Sequence, residues 1–467
     1  MGGSVTSDGI VSELRGRVGG DVIGPADPGY DRHRAVFNAR IDCHPAAIAG
    51  CQTRDDIVGA LATRAEHALP VAVRGGATSD RATVDGGIVV DVSPLKGIEI
   101  DPRARTARVG GGVTWAELDA VTQAHGLAAT GARLSGLGVA GVAVSGGSGW
   151  LERLLGPTCQ SLIGAEVVLA DGRVVRASTD ENADLLWALR GGGGNFGVLT
   201  ELEFQLHSVG PTLLSGFLTY PRARAGEVAR FYRDYIEQAA DTVGGGLVLF
   251  PGRGGSCTVV FSFAGPIDDG ERALAPLRKL RPSLNAVRPN EYRAFQSMTD
   301  LQNPFGMRAY ARGGFLPELT DDALAIVIAQ ASRPAASLSR VMLRPLGGAM
   351  GRLDGDAMAL TIPAAAWAYE CLSLWPPVAS LDKGNIEWTR SICDALGPFS
   401  LAESHPGPAP GDADPAGLLA ANDSGRYEKL QRVKARYDPE DIFRADPRIV
   451  PNGSGPADQP SWASSSL

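Results

Sequence analysis

The sequence predicts an α+β fold in two parts, on three observations. A strand–helix–strand pattern occupies 47–74, two glycine clusters flank a strand-like run at 164–170, and from Pro211 onward longer helices alternate with strands. The first part is expected over 40–210, preceded by an extension at 1–39 whose residues 1 to about 30, with one short helical pattern around Ile10 to Leu14, are expected to lie over the surface. The second spans 211–405, followed by a return segment at 406–450 and a disordered tail at 451–467. A length of 467 residues and 44% hydrophobic content are enough for two or three cores.

In the first part, Ala47–Cys51 reads as a strand and Thr53 as the N-cap of a helix. Pro70–Arg74 is the next strand, and it empties into Gly75, Gly76, Ala77, Thr78 and Ser79. Successive backbone N–H groups after a strand have the geometry that cups a pyrophosphate. Short strands follow at 87–92, 97–100 and 106–109, then a helix opened by a Thr114/Glu117 capping box and closed by His125. His125 reads as a surface group, since a cation is favoured at a helix C-terminus. Gly164–Ala177 is a hairpin turning at Asp171-Gly172, and 182–190 a short helix.

The stretch around which the chain is organised opens with a glycine-rich turn at Gly141–Trp150 and closes at Arg190–Thr200. Ordered glycine costs backbone entropy, so such clusters imply that backbone approaches something closely. A flat, phosphate-bearing ligand fits that pattern, with Gly146, Gly147, Gly149, Asn195 and Gly197 as its neighbours. In the second part, helices at 225–239, 268–280, 321–332 and 385–396 and strands at 246–250, 258–263, 339–343 and 357–362 predict an antiparallel sheet covered by helices. Pro406–Pro415 reads as a linker and Tyr427–Tyr437 as a final helix.

A net charge of -8 argues against nucleic acid or an anionic membrane as partner and leaves a small molecule. Six dispersed cysteines with no CxxC pair, and no histidine at ligand spacing, predict reduced thiols and no metal. The N-terminus lacks an apolar signal-like run, so a cytoplasmic location is expected. The oligomeric state is left open.

Seven segments, in order along nearly the whole chain, resemble one family. They are Asp27–Tyr30, Arg74–Gly76, Asp85–Asp91, Gly146–Leu151, Asp171–Ser178, Asp184–Gly197 and Arg436–Arg444. The sequence is similar to FAD-linked oxidases with the vanillyl-alcohol-oxidase type (PCMH-type) flavin domain, in the berberine-bridge-enzyme-like branch. The resemblance implies a two-lobed FAD-binding domain completed by the return segment, plus a substrate domain, with the ligand cleft at their junction. It also implies oxidation of natural-product intermediates by hydride transfer to the flavin, assisted by a positioned base.

Against that pattern the chain departs repeatedly. Where the family carries a flavin-linking histidine, the residues are Ala77, Thr78 and Ser79. At the position of its flavin-linking cysteine stands Leu134, between Arg133 and Ser135. Arg426 replaces an asparagine near the ring, Ala445-Asp446-Pro447 follows Phe443-Arg444, and Ser145 replaces a glycine. FAD is therefore expected without a covalent bond, or not at all. Charged Arg426 and Asp446 against a flat ring favour the second outcome. The leading expectation is a redox-neutral cyclase of a polyketide-like intermediate, such as a [4+2] cycloaddition, with Arg133, Tyr310, Arg426 and Asp446 as polarising groups. The alternatives are a non-covalent FAD-dependent oxidase of such an intermediate, and a non-catalytic binder of it.

Overall fold

Four strands form the first sheet in the computed structural model, which describes residues 6–252, 255–401, 424–445 and 447–452. In spatial order they are Val22–Ile23, Ala47–Gly50, Ile88–Asp91 and Val71–Arg74, and the last three run parallel. The helix Arg54–Glu66 links the two predicted strands of the βαβ unit. It starts where Thr53 and Asp56 exchange side-chain and backbone hydrogen bonds in a capping box, and it buries Ile57, Ala60 and Leu61. Ile88–Asp91 slots between those strands, a pairing that local pattern does not reveal.

The N-terminal extension does not lie over the surface as expected. Helix Ser7–Arg17 buries Ile10, Val11 and Leu14 in the core of this first lobe, and Val22–Ile23 pairs with Ala47–Gly50. Three apolar residues on one helical face need a covered surface, and the sheet supplies it.

The second sheet has the order Ile98–Asp101, Thr106–Gly110, Val198–Gln205, Leu162–Val168, Val174–Ser178, antiparallel throughout. The predicted hairpin is its edge. The glycine-rich stretch at 141–150 is only partly a turn: Val139–Val144 is a short helix, and the turn follows it. Trp115–Thr122 packs beside this sheet, with Thr114 and Glu117 forming the predicted capping box.

The large sheet carries the strands Leu284–Asn285, Thr212–Pro221, Ser256–Phe263, Val243–Leu249, Arg340–Pro345, Trp367–Trp375 and Arg308–Leu316 in that order, with Arg288–Glu291 also paired to Thr212–Pro221. One face packs on helices Ala225–Gln238, Ile267–Lys279, Asp321–Ala331 and Asp382–Leu396 through Leu218, Leu247, Val259, Leu343 and Cys371. Alternation along each strand turns the other face toward the first two lobes. The strand expected at 357–362 is absent. Instead the N–H groups of Ala359 and Leu360 donate to Trp187 O and Arg190 O, so this segment is tied to the end of helix Ala183–Leu189. The linker expected at 406–415 and the tail beyond Asn452 lie outside the described residues.

Helix Ser424–Tyr437 returns to the first part. Leu430 and Val433 enter the core of the second sheet, and Ile442 and Phe443 enter that of the first. Among the described residues no helix is long and apolar enough to cross a membrane.

Asp119, on helix Trp115–Thr122, is buried and one of its carboxylate oxygens has no partner. Burial pushes its carboxyl up to about 8, against a smaller opposing effect of Arg293. It stays protonated in the native chain while its unfolded counterpart ionises above about pH 4. Its contribution to stability is therefore full below about pH 4 and is lost as pH rises toward about 8. Asp119→Asn, which cannot ionise, should lack this loss and gain on the parent by about 1.4 kcal/mol per pH unit at most across that window. Urea unfolding at a series of pH values measures it; parallel pH profiles for the two proteins would exclude the effect.

Candidate active site

A cavity of about 1000 Å³ lies between the glycine segments of the first part and the free face of the large sheet. Gly75, Gly76, Ala77, Thr78 and Ser79 line it, with Leu134, Gly147 and Gly197. The backbone N–H groups of Gly75 to Ser79 have no acceptor among the described residues. A run of backbone N–H groups without acceptors facing a cavity is a site for anionic oxygens. Across from it, Gly138 and Gly141 also line the cavity, and neither was read from the sequence as a site residue. A Cβ on Gly76 would lie 2.6 Å from Gly138 N, whereas one on Gly141 would meet nothing within 4 Å. Glycine at 76 lets the two loops touch; glycine at 141 keeps the cradle open.

These walls fit FAD. Unpaired amides suit its pyrophosphate, and the long cavity between the lobes suits a flat ring system. The Arg426 charge that argued against a flavin does not stand where the sequence put it. Arg426 donates to Gly355 O at 2.5 Å and to Met358 O, and it does not line the cavity. Asp446 lies outside the described residues. Ala77 does carry a left-handed φ of +54°, a strained setting for a residue with a Cβ, yet it holds its place in the wall.

Other expected site residues stand behind the wall rather than in it. The Arg74 side chain is buried in an ion pair with Asp91 and also donates to His33 O, so it fixes the strand end and not a ligand. Gly146 is required by its φ of +96° and by Leu360 packed over it. Gly149 is required because Gly131 O occupies the place of a Cβ. Asn195 is fully buried; its amide donates to Gly192 O and Pro447 O, both at 2.8 Å, while its Oδ1 accepts from Ala445 N and Ile449 N. It staples the return segment to the second glycine cluster. Tyr310 is buried between Arg40 and Arg390 and does not line the cavity, which removes it as a polarising group.

Arg133 is brought to the cavity. It donates to Glu152 at 2.6 Å and to Ser148 Oγ at 2.8 Å, and it lies 5.3 Å over the Trp150 ring. Burial outweighs the Glu152 charge and lowers its pKa to about 10. Its task is to pin the turn at 147–150.

The residues that sequence reasoning missed are on the sheet face. Register sets Met342 directly opposite Glu370, with Arg340 opposite Leu372 and Arg344 opposite Ala368. Arg340, Met342, Arg344, Glu370 and Leu372 all line the cavity. The Glu370 side chain makes no hydrogen bond or ion pair among the described residues, so its carboxylate is open to a ligand. The alternation in Trp367–Trp375 was a signal for a half-buried strand, but nothing local distinguished Glu370 from a surface glutamate.

Lys434 fixes the return segment. Fully buried, it donates to Asn195 O at 2.7 Å, Asp438 Oδ2 at 2.6 Å and Phe443 O at 2.6 Å. Phe443, Arg444, Ala445 and Pro447 then form part of the cavity wall. On the outer surface, Glu13, Glu66 and His67 come close enough for a cation, though no histidine spacing predicted it. Arg17 already pairs with both carboxylates.

The glycine cradle points to an FAD-binding class, and the comparisons agree with that. A family described as FAD binding domain matches residues 45–178, and one described as berberine and berberine like matches residues 424–449. In both segments the chain is similar to the berberine-bridge-like FAD-linked oxidases. It is 29% identical to (R)-6-hydroxynicotine oxidase of Paenarthrobacter nicotinovorans, over 93% of this chain and 97% of that protein. An uncharacterised FAD-linked oxidoreductase of Bacillus subtilis is 25% identical over 92% and 97%. The crystal structure of 6-hydroxy-D-nicotine oxidase from Arthrobacter nicotinovorans superimposes with a TM-score of 0.82 at 26% identity, covering 92% of this chain and 98% of that one. These relatives support an oxidoreductase over the redox-neutral cyclase that led the sequence reading.

Two outcomes follow. Gly141→Leu should fold with an unchanged melting temperature yet lose flavin on gel filtration, read by absorbance; retained flavin would contradict the cradle. Lys434→Met leaves the buried Asp438 carboxylate without its cation and should cost about 3–5 kcal/mol of stability in urea unfolding.

Proposed function

We propose that the protein is an FAD-dependent oxidoreductase that holds its flavin without a covalent bond and oxidises a small natural-product intermediate. The observation that carries this reading is the free Glu370 carboxylate, facing the glycine cradle across one cavity. Non-covalent binding is supported by the walls themselves: among the described residues that line the cavity there is no histidine, cysteine or tyrosine.

Bound FAD supplies a two-electron acceptor for hydride. The amides of Gly75 to Ser79 hold its pyrophosphate, and Gly138 and Gly141 leave room for it. Glu370 accepts the proton that leaves the substrate O–H or N–H as the adjacent C–H is oxidised. Phe250, Val260, Met342 and Leu372 line the same space, and their apolar surface excludes water from the reacting carbon.

Purified protein should be yellow, and acid precipitation should release all of its flavin to the supernatant. Turnover should consume oxygen or reduce a dye acceptor. An isomeric product formed with neither would restore the cyclase reading. Glu370→Gln should keep its flavin and lose about 10²- to 10⁴-fold in kcat. A rate within threefold of the parent would remove Glu370 as the base.

A further inference from the structure

The charges on the sheet face of the cavity do not cancel. Arg344 donates to both oxygens of Glu152 at 3.1 Å, and Arg133 donates to the same carboxylate. Two guanidinium groups thus share one buried counter-charge. Arg340, two residues before Met342, meets neutral acceptors instead: Asn303 Oδ1 at 2.6 Å and Leu338 O at 3.2 Å. No carboxylate among the described residues lies within ion-pair distance of it. Burial lowers its pKa, opposed by the charge of Glu370, but a guanidinium stays protonated at neutral pH.

Three cations, Arg133, Arg340 and Arg344, therefore stand against two carboxylates, Glu152 and Glu370, leaving one positive charge in excess on this wall. Arg312 also lines the cavity, but it has a carboxylate of its own and adds nothing to the excess. It stands opposite Cys371, whose side chain lies in the helix-side core, and its guanidinium is 3.7 Å from Asp394. An uncompensated charge at a largely apolar cavity wall is costly to desolvate, and an anionic ligand offsets that cost. Arg presents a planar fork of donors suited to a planar oxyanion.

We propose that Arg340 is a carboxylate-binding subsite, and that the substrate is an organic acid; this rests on the sheet face being the substrate half of an oxidase cavity. Arg340 and Glu370 are diagonal neighbours on adjacent strands, a separation of about 7–8 Å between Cα atoms. The acid group and the carbon to be oxidised are then close together on the substrate rather than at opposite ends. Arg340 fixes the acid, and Glu370 meets the O–H or N–H that gives up its proton.

The test is a calorimetric titration of the protein as purified with three probes, acetate, benzoate and 2-naphthoate, each against its neutral amide. Wild-type protein should prefer at least the aromatic acids over their amides by tenfold or more. Arg340→Met should abolish that preference without weakening the amides, and Arg340→Lys should retain part of it. Equal binding of all three acids and their amides to the wild type overturns the proposal, as does a preference that survives in Arg340→Met. The wild-type comparison decides the matter even where a variant fails to fold. Acid binding needs no turnover: protein that prefers acids but neither reduces a dye nor consumes oxygen fails as an oxidase and keeps the subsite. An active oxidase indifferent to the acid group does the reverse.

Discussion

The buried ammonium of Lys434 is the contact on which the cavity depends. It gathers Asn195 O from the second glycine cluster, Asp438 from its own helix and Phe443 O from the segment beyond. Asp438 in turn accepts the N–H groups of Ile442 and Phe443, at 3.0 and 2.8 Å. A charge removed from water is stable only with every donor satisfied, so the hub admits essentially one path for the chain. That path carries Phe443, Arg444, Ala445 and Pro447 to the cradle and pins the two lobes together through Leu430, Val433, Ile442 and Phe443.

The second constraint is the period of two in the large sheet. One face carries Leu247, Val259, Leu343 and Cys371 into a helix-covered core, and the other carries Arg340, Met342, Arg344 and Glu370 into the cavity. A register slip by one residue would bury the charges under helices and expose the core. The stability of the helix layer therefore holds the chemistry in place, although none of its residues touches the ligand space.

Much of the architecture was legible. The Thr53 and Thr114 caps, the hairpin at 164–177 and the four long helices of the second part follow from local capping, turn chemistry and periodicity. The short helix around Ile10 to Leu14 was legible, but the surface role given to residues 1 to about 30 was wrong for it, because three apolar residues carry a weak signal of burial until the sheet beneath them is known. Arg426 was placed near the ring because its neighbours align with a family pattern. Its long side chain reaches instead to the carbonyls of 355–358, which no alignment of the helix could foretell.

By itself, the sequence determined the α+β class, the family resemblance and the presence of Ala77, Thr78, Ser79 and Leu134 where the family pattern has its flavin-linking residues, because these rest on residue identity and on spacing within single segments. Only the tertiary structure decided that, among the described residues, the Glu370 side chain has no partner and Arg340 no counter-ion while Arg133 and Arg344 share one, and that Arg74, Asn195 and Tyr310 serve the frame. Whether a charged side chain is free to act depends on which partners reach it from distant strands and loops, and those distances exist only once the lobes and the sheet have closed on one another.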